Sequence, residues 1–391
     1  MATLDDDLPQ ENVKSVFASL RVNDYKYLSI GLLGSAFALN MQLIAQGWMV
    51  YEMTSSAMKL TWVTLSFMIP QVVFSLLGGV LADRFAKKPI IGWAPFINGL
   101  ATLVMALIIF SGKADFSAFL VIGFLNGTVL ALSMPARTAF IPELVGEELI
   151  FNAMAFNSAC WNLARIVGPA AAGFIIAIFA EGNTTSGFGV GLVYVILSLL
   201  YFVSALSVLY ISHPGRPVQI QKKSALKDTQ EALRYVVNSP IVGGLILLSI
   251  LPFLFGLSIN TLLPAFSTDV LKGGPDDLGL LMTGMGFGAI IGSLALAKMS
   301  SVTKKGFWII GTGALWGGLV AIFSITNDYL ISTIVIGCIG FVSAINMSMN
   351  RSVMQLQVAQ SMRGRIMSVD MMSHGLMPLG ILPIGYIAET I

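Results

Sequence analysis

The chain alternates long apolar stretches with shorter polar ones, and this pattern predicts membrane-spanning helices. About 20 mostly apolar residues in an α-helix cross the hydrocarbon core of a bilayer. With that window, eleven spans are predicted, at residues 27–50, 60–82, 89–111, 116–134, 153–179, 189–211, 240–263, 278–299, 306–325, 329–349 and 366–388. The pattern therefore predicts an all-α integral membrane protein.

Two polar segments are long enough to be separate parts of the chain. Residues 1–26 lack the short apolar core and cleavage site of a signal peptide, so we expect a cytoplasmic arm with an interfacial helix near Val13–Val22. Residues 212–239 are expected to form a cytoplasmic linker with an amphipathic helix against the anionic inner leaflet. The linker separates an N-terminal half, 27–211, from a C-terminal half, 240–391.

Composition agrees with this interpretation and excludes several classes of protein. Hydrophobic residues make up 56% of the chain and charged residues 11%, whereas soluble domains carry about 25% charged residues. The net charge of +2 provides no basic surface for nucleic acid. No phosphate-binding loop, histidine–glutamate metal motif or serine–histidine pair is present in the sequence, so no cofactor, no metal and no enzymatic activity are expected.

The positions of the cations predict the orientation in the membrane. With the N-terminus in the cytoplasm, 18 of the 22 lysines and arginines fall on the cytoplasmic side. Lys59, Lys113 and Lys272 fall on the other side, and Arg165 falls inside a span. Cytoplasmic segments carry an excess of lysine and arginine. We therefore expect a multi-pass plasma-membrane protein with a cytoplasmic N-terminus.

An internal repeat is visible when the chain is shifted by 214 residues. The superposed pairs are Gly78 with Gly292, Arg84 with Lys298, Arg137 with Arg351, Pro169 with Pro383 and Gln46 with Asn260. Since six spans are an even number, this predicts two parallel six-helix repeats related by an axis along the membrane normal. The counterpart of the sixth span would fall near 403–425, so we expect a twelve-helix fold that lacks its twelfth helix here.

A charged segment between spans two and three carries a family resemblance. The sequence "GGVLADRFAKK" resembles the loop pattern G-x-L-A-D-R-x-G-R/K-R/K of the major facilitator superfamily of secondary transporters, with Ala86 where glycine is usual. The stretches "AQGWMVYEMTSSAMKLTWV", "MPARTAFIPELVGEELIFNAMAFN" and "VAQSMRGRIMSVDMM" resemble its enterobactin-exporter and macrolide-efflux branch. This resemblance implies a location in a bacterial cytoplasmic membrane.

The resemblance implies a conformational latch on the cytoplasmic side, formed when that side is closed. Asp83 would pair with Arg137 or accept hydrogen bonds from the N-terminus of span eleven. The alternative is that the cations only anchor a cytoplasmic loop. The residues assigned to the latch are Gly79, Asp83, Arg84, Lys87, Lys88 and Arg137.

Polar residues inside the spans are candidates for a substrate cavity, because spans one, four, seven and ten line the cavity in the resembled family. These candidates are Asn40, Gln42, Gln46, Asn126, Asn260 and Asn346. Hydrogen bonding between helices is the alternative role. Arg165 is a cation at membrane depth, and it would bind an anionic substrate or couple to proton movement. The alternative is a structural pair with a buried polar partner.

Few ionisable groups lie near the spans, and three of them are candidates for proton coupling. Glu52 lies near the outer end of span one, and Asp370 lies near the inner start of span eleven. His374 would share a helix face with Asp370, four residues earlier. The alternative for each acid is an ordinary interfacial position at a helix end.

Small residues in two spans predict close helix packing. Gly168, Pro169 and Gly173 partly match the G-P-x-x-G-G signature associated with exporters of the antiport type in the resembled family. Gly284, Gly288 and Gly292 recur at four-residue spacing in span eight.

Together these features predict a secondary transporter that works by alternating access. We expect proton-coupled efflux of a small hydrophobic or amphiphilic compound, such as a drug or a siderophore-like molecule, by a monomer in contact with membrane lipid. An importer with the same fold and a membrane receptor or scaffold without flux are the alternatives.

Overall fold

The computed structural model describes residues 17–179, 187–215, 225–256, 259–298, 304–358, 362, 366, 369–370 and 377–390. Within these ranges the secondary structure is helical, without a strand, and the all-α prediction is confirmed for them. The helices are α1 Asn23–Thr54, α2 Ala57–Arg84, α3 Lys87–Phe110, α4 Phe116–Phe179, α5 Gly187–Leu209, α6 Ala225–Asn238, α7 Pro240–Leu251, α8 Ile259–Ala265, α9 Pro275–Lys298, α10 Lys305–Ser324, α11 Tyr329–Gln357 and α12 Met377–Thr390.

Ten apolar stretches in the described part are long enough to cross a membrane, and Leu379–Thr390 is a shorter apolar helix. The seventh span, Pro240–Val270, contains α7 and α8 together with π-helical turns at Pro252–Gly256 and Phe266–Val270. The predicted amphipathic linker segment contains α6. Of the predicted interfacial helix, residues 17–22 are described, and they contain a short 3-10 helix, Ala18–Arg21.

Helix α4 contains two spans that meet at a sharp bend. The bend is at Gly146, whose φ of 71° is a left-handed value that glycine adopts without a steric penalty. The two arms are α4a, Phe116–Gly146, and α4b, Glu148–Phe179. Residue 134 was predicted as the end of span four, but the helix continues beyond the apolar stretch for about three more turns, to Gly146. Arg137 therefore lies inside a helix and not at its end.

The two largest contacts between the halves are helix pairs that correspond to each other in the repeat. Helix α2 packs against α12, and α4 packs against α9 through its α4b arm. A shift of 214 residues carries α2 onto the region of α9, and carries α4b onto the region of α12. The interface is thus built twice from corresponding helices, as expected for parallel repeats.

The hydrophobic core shows at which side of the membrane the halves are joined. We call the side with Arg84, Lys87, Lys88, Lys304 and Lys305 the basic face, and the other side the opposite face. One core cluster draws residues from both halves and lies toward the opposite face. Two further clusters lie toward the basic face, and each is confined to one half. The described part of the molecule is therefore closed at the opposite face and divided at the basic face.

Helix α5 fills a groove that has a counterpart in the second half. In the first half, α5 packs against both α1 and α3. The corresponding helices of the second half, α7–α8 and α10, border an apolar cavity of about 420 Å³. Leu251, Phe255 and Trp316 are among its lining residues, and Asn346 is its polar one.

Candidate transport pathway and coupling site

The basic-face lysines are fixed by contacts inside the first half. Lys87 is 1% exposed, and its Nζ lies 2.6 Å from Glu143 Oε1 in α4a. The backbone N–H of Lys87 donates to the Gly215 carbonyl at 2.9 Å. Lys88 donates through Nζ to the carbonyls of Leu209, at 3.2 Å, and Ile211, at the end of α5. These lysines therefore join α3 to its neighbours, and a latch role for them stays a prediction.

The other predicted latch residues have different surroundings. Arg84 is exposed, and a side chain at Gly79 would meet no atom within 4 Å. Gly78 is the position of close packing, because a Cβ there would collide with the Ala131 carbonyl of α4a. The side chain of Asp83 lies outside the described set, so its pairing with Arg137 stays a prediction as well.

Arg137 lies in a polar pocket in the middle of the first half. The cavity has about 30 Å³ of free volume, enough for one or two water molecules. All six spans of this half contribute to its wall, which includes Ser35, Phe67, Asn98, Asn126, Ser133, Arg137, Trp161 and Tyr201. The Oδ1 atoms of Asn98 and Asn126 are buried without a partner among the described residues. Buried carbonyl oxygens of this kind are usually satisfied by water, so the pocket is suited to hold it.

Four of the predicted cavity residues make hydrogen bonds within the first half. Asn126 Nδ2 donates to Gln42 Oε1 at 3.2 Å, and Gln42 Nε2 donates to Gln46 Oε1 at 3.4 Å. Asn40 Nδ2 donates to the Ala36 carbonyl of its own helix at 2.8 Å. All four side chains are at least nine-tenths buried. Of these bonds, the one between Asn126 and Gln42 joins two helices, α4a and α1, and the cavity role of the four residues stays a prediction.

Arg165 lies on the face of α4b opposite most of the exposed apolar side chains of this arm, and we call this the inner face. The exposed large apolar residues of the arm are Met154, Leu163, Val167, Phe174, Ile178 and Phe179. With 100° per residue, Arg165 projects roughly opposite four of them, while Met154 and Phe179 lie on its own side. It is exposed, and its Nη2 donates to Asn162 Oδ1 at 3.1 Å. A charged group on the inner face of a span is typical of a substrate or ion pathway.

A second polar cluster surrounds Asp370 in the C-terminal half. The Asp370 carboxylate is almost fully buried and accepts a hydrogen bond from Ser249 Oγ at 2.8 Å. Its Oδ2 atom lies 3.8 Å from Nε of Arg351, a side chain that is 52% exposed. Asn350, beside this pair, donates to the Leu245 carbonyl at 2.9 Å. The cluster joins α7, α11 and the start of the eleventh span around one acid.

The two polar pockets occupy equivalent positions in the repeat. Three residues of the first pocket have their counterparts, 214 positions later, in the second pocket: Ser35 with Ser249, Ser133 with Met347 and Arg137 with Arg351. The position equivalent to Asp370 is Phe156. The second half therefore contains a counter-ion for its arginine that the first half does not have at the same place. Sequence analysis found the arginine pair but missed Ser249 and the Arg351–Asp370 contact.

The remaining candidates are spread over the molecule. Glu52 is half-buried and lies two residues before the end of α1, at the opposite face, whereas Asp370 lies toward the basic face. Asn346 donates to the Ile309 carbonyl at 2.7 Å, and Asn260 Oδ1 is buried without a partner among the described atoms. His374 lies outside the described residues. Glu52 and Asp370 are therefore at different depths and form no direct relay.

The predicted packing glycines lie at helix contacts. A Cβ at Gly168 would meet Asn40 of α1 at 3.0 Å, and one at Gly173 would collide with the Pro275 carbonyl of α9. The Pro169 carbonyl lies against Gly279 of α9. In α9, Gly284, Gly288 and Gly292 all face α11, and the last two leave no room for a side chain.

Comparison with known proteins identifies the family. The model of a family described as transmembrane secretion effector matches residues 14–391. The chain belongs to this family. The resemblance inferred from the loop motif, to the major facilitator superfamily and its enterobactin-exporter branch, is thereby confirmed.

Curated relatives and solved structures agree with this assignment. The chain is 25% identical over 343 residues to the enterobactin exporter EntS of Citrobacter koseri, covering 87% of this chain and 76% of the relative. It is similar in fold to an inward-facing bacterial homologue of the lysosomal transporter Spinster, with a TM-score of 0.72, 17% identity and coverage of 93% and 81%. The nucleoside transporter NupG gives a TM-score of 0.72 with 15% identity and coverage of 94% and 92%. The predicted transporter fold is confirmed, and the protein is a membrane transporter of this superfamily.

Proposed function

We propose that the protein is a secondary active exporter that couples proton entry to efflux of a small hydrophobic or amphiphilic compound. The observation that carries this proposal is the arrangement of the two halves, which are joined at the opposite face and divided at the basic face. A transporter in this state exposes its central site to the basic face, where an exporter would load its cargo.

The distribution of charge supports a cytoplasmic position for the basic face. Cytoplasmic segments are enriched in lysine and arginine, and most of the cations of this chain fall on that side. Loading would then occur from the cytoplasm, which fits export. The relatives named enterobactin exporter support the same direction.

The inner face of α4b supports an amphiphilic substrate. Arg165 and Asn162 provide a cation and an amide on this face, and Trp161 lies beside them at the edge of the polar pocket. An arginine held at membrane depth suits an anionic or strongly polar group of the cargo. The surrounding helices are apolar, so the rest of the cargo would contact hydrocarbon side chains.

Asp370 is the residue that we propose as the proton carrier. It is a buried acid with both a hydroxyl partner and a cationic partner, Ser249 and Arg351. Protonation would neutralise the carboxylate and weaken its attraction to Arg351, leaving that arginine free to move. Glu52, which is half-buried near the opposite face, is the second candidate.

The test is transport in inverted membrane vesicles that contain the intact chain. A panel with a catecholate siderophore and several lipophilic fluorescent drugs is offered with and without an imposed proton gradient. We expect gradient-dependent uptake of at least one compound, with uptake lost after a protonophore is added. Uptake only in right-side-out vesicles would show import, and the absence of flux for every compound would favour a receptor or scaffold.

A matched pair of variants tests the carrier. Asp370→Asn should abolish the dependence on the gradient. Asp328→Asn, which changes a carboxylate that only caps α11 through the N–H of Ile331, should leave the dependence intact. Equal dependence in both variants would exclude Asp370 as the carrier.

A further inference from the structure

The polar contacts between the two halves gather at the opposite face. Glu389, in the last turn of α12, accepts a hydrogen bond from Ser56 Oγ at 2.8 Å and one from the Met58 N–H at 3.2 Å. Tyr51, near the end of α1, donates through its hydroxyl to Asp269, in the turn that follows α8. Each contact joins residues more than 200 positions apart and connects the first half to the second.

Glu389 acts on a helix terminus of the other half. Ser56 is the N-cap of α2, and its hydroxyl also accepts from the Lys59 N–H at 3.2 Å. The first N–H groups of a helix have no partner within the helix, and the terminus carries a partial positive charge. A carboxylate at this place is favourable, and here the second half supplies it. The cap of α2 is therefore complete only when the halves are together.

The other side of the interface has a different character. There, α4b and α9 meet through small residues, with Gly173 against Gly279 and Gly286 against Ile166. Thr283 adds one long hydrogen bond to the Ile166 carbonyl, at 3.4 Å. Small residues let two helix backbones approach closely. Among the described residues no ion pair joins α4b to α9, so none has to break when the two helices shift against each other.

We propose that Glu389 and Asp269 are the carboxylates that hold the opposite face closed, and that the halves part there by breaking these two contacts while α4b and α9 stay together as a pivot. This proposal rests on the alternating-access part of the proposed function. It requires neither a particular substrate nor proton coupling. We refer to Tyr51, Ser56, Asp269 and Glu389 as the opposite-face seal.

The first experiment measures how often the opposite face opens. Leu263 is fully buried in the core cluster shared by the halves, so a cysteine there reports opening by its reaction with a membrane-impermeant thiol reagent. The two native cysteines, Cys160 and Cys338, are first replaced by alanine. We expect Glu389→Gln and Asp269→Asn each to raise the labelling rate from the opposite face by about 3- to 10-fold, as for loss of a charge-assisted bond at an accessible site.

Two matched variants separate the seal from general loosening. Asp328→Asn removes a capping carboxylate, and Tyr329→Phe removes a tyrosine hydroxyl that donates to the Asp277 carbonyl. Both contacts lie within the second half, so labelling should not change. Ser56→Ala and Tyr51→Phe remove the same two seal contacts from the partner side and should reproduce the effect. Unchanged labelling in all four seal variants, or an equal rise in the two controls, would overturn the proposal.

The second experiment tests the pivot by cross-linking. A cysteine pair at Ser56 and Glu389, joined by oxidation or a short bifunctional reagent, should hold the opposite face closed and stop labelling at position 263. A pair at Ile166 and Thr283 should cross-link without stopping it. Arrest of opening by the second pair would refute the pivot. Because labelling is measured without substrate, failure of the seal is distinguishable from failure of the transport assay.

Discussion

The ion pair between Lys87 and Glu143 leads to a prediction about two single substitutions that remove the same contact. The Lys87 side chain is 1% exposed, whereas Glu143 is 27% exposed. Glu143→Gln removes the carboxylate that lies 2.6 Å from a buried ammonium group. Lys87→Met leaves a carboxylate that water can still reach, and it places an apolar side chain in the buried site.

The magnitudes follow from this difference in exposure. Removing one partner of a buried pair costs about 3–5 kcal/mol when the remaining charge is sealed from water. Glu143→Gln leaves the sealed Lys87 charge, so we expect it to lower the free energy of unfolding by about 3 kcal/mol. Lys87→Met leaves the partly accessible Glu143 charge, so we expect a loss of about 1 kcal/mol. The double variant should cost less than the sum, because both single substitutions remove the same contact.

The free energy of unfolding measured by detergent-induced denaturation of the purified protein tests this order. Lys88→Met serves as a control for removal of a lysine at the same helix end, where the partners are carbonyls of α5. A larger cost for Lys87→Met than for Glu143→Gln would refute the argument, as would full additivity in the double variant.

Three further predictions concern backbone positions and one helix contact. Gly78→Ala should reduce folded yield and cost about 1–3 kcal/mol, because its Cβ would strike the Ala131 carbonyl, whereas Gly79→Ala should be neutral in the same thermal unfolding assay. Gly146→Ala should cost about 1–2 kcal/mol, since a left-handed φ of 71° is unfavourable for alanine, and thermal unfolding against Gly306→Ala measures this. Asp24→Asn should weaken the contact between α1 and residues 212–213, because the Asp24 carboxylate accepts hydrogen bonds from the N–H groups of Ser212 and His213, each at 2.9 Å. We expect faster proteolytic cleavage after α5 in this variant, and a cleavage rate equal to that of the unsubstituted chain would contradict the prediction.

The spans were predictable from sequence because the membrane imposes them. The repeat was predictable because matching positions recur 214 residues apart. A helix in hydrocarbon must be apolar for about 20 residues. The hydrophobic pattern therefore identified each of the ten candidate membrane spans of the described part. Helix ends were not predictable in this way. Helix α4a continues to Gly146, and Phe140, Ile141 and Val145 of its last turns are buried in the core cluster toward the basic face. No hydrophobicity window detects such contacts.

The polar contacts were less predictable, because they depend on which faces of distant helices meet. Lys87 and Glu143 are both visible as charges, but their pairing requires the packing of α3 on α4a. Gln42 and Asn126 were correctly identified as polar residues inside spans, yet only the structure shows that they bond to each other. Glu389 gave no sequence signal, since its partners are a hydroxyl and a backbone N–H 331 or more positions away.

The departures from the repeat matter more for the proposed mechanism than the repeat itself. Two equivalent halves are enough for rocking about a shared interface, and the paired contacts of α2 with α12 and of α4b with α9 provide that symmetry. In the proposed mechanism the proton carrier is a group that one half has and the other lacks. Position 370 is an aspartate beside Arg351, while the equivalent position in the first half is Phe156. The two helix pairs differ in a similar way. Glu389 of α12 makes a charged contact with the start of α2, whereas Gly173 of α4b makes a small-residue contact with α9. Within the proposed function, symmetry provides the motion and these substitutions give it a direction.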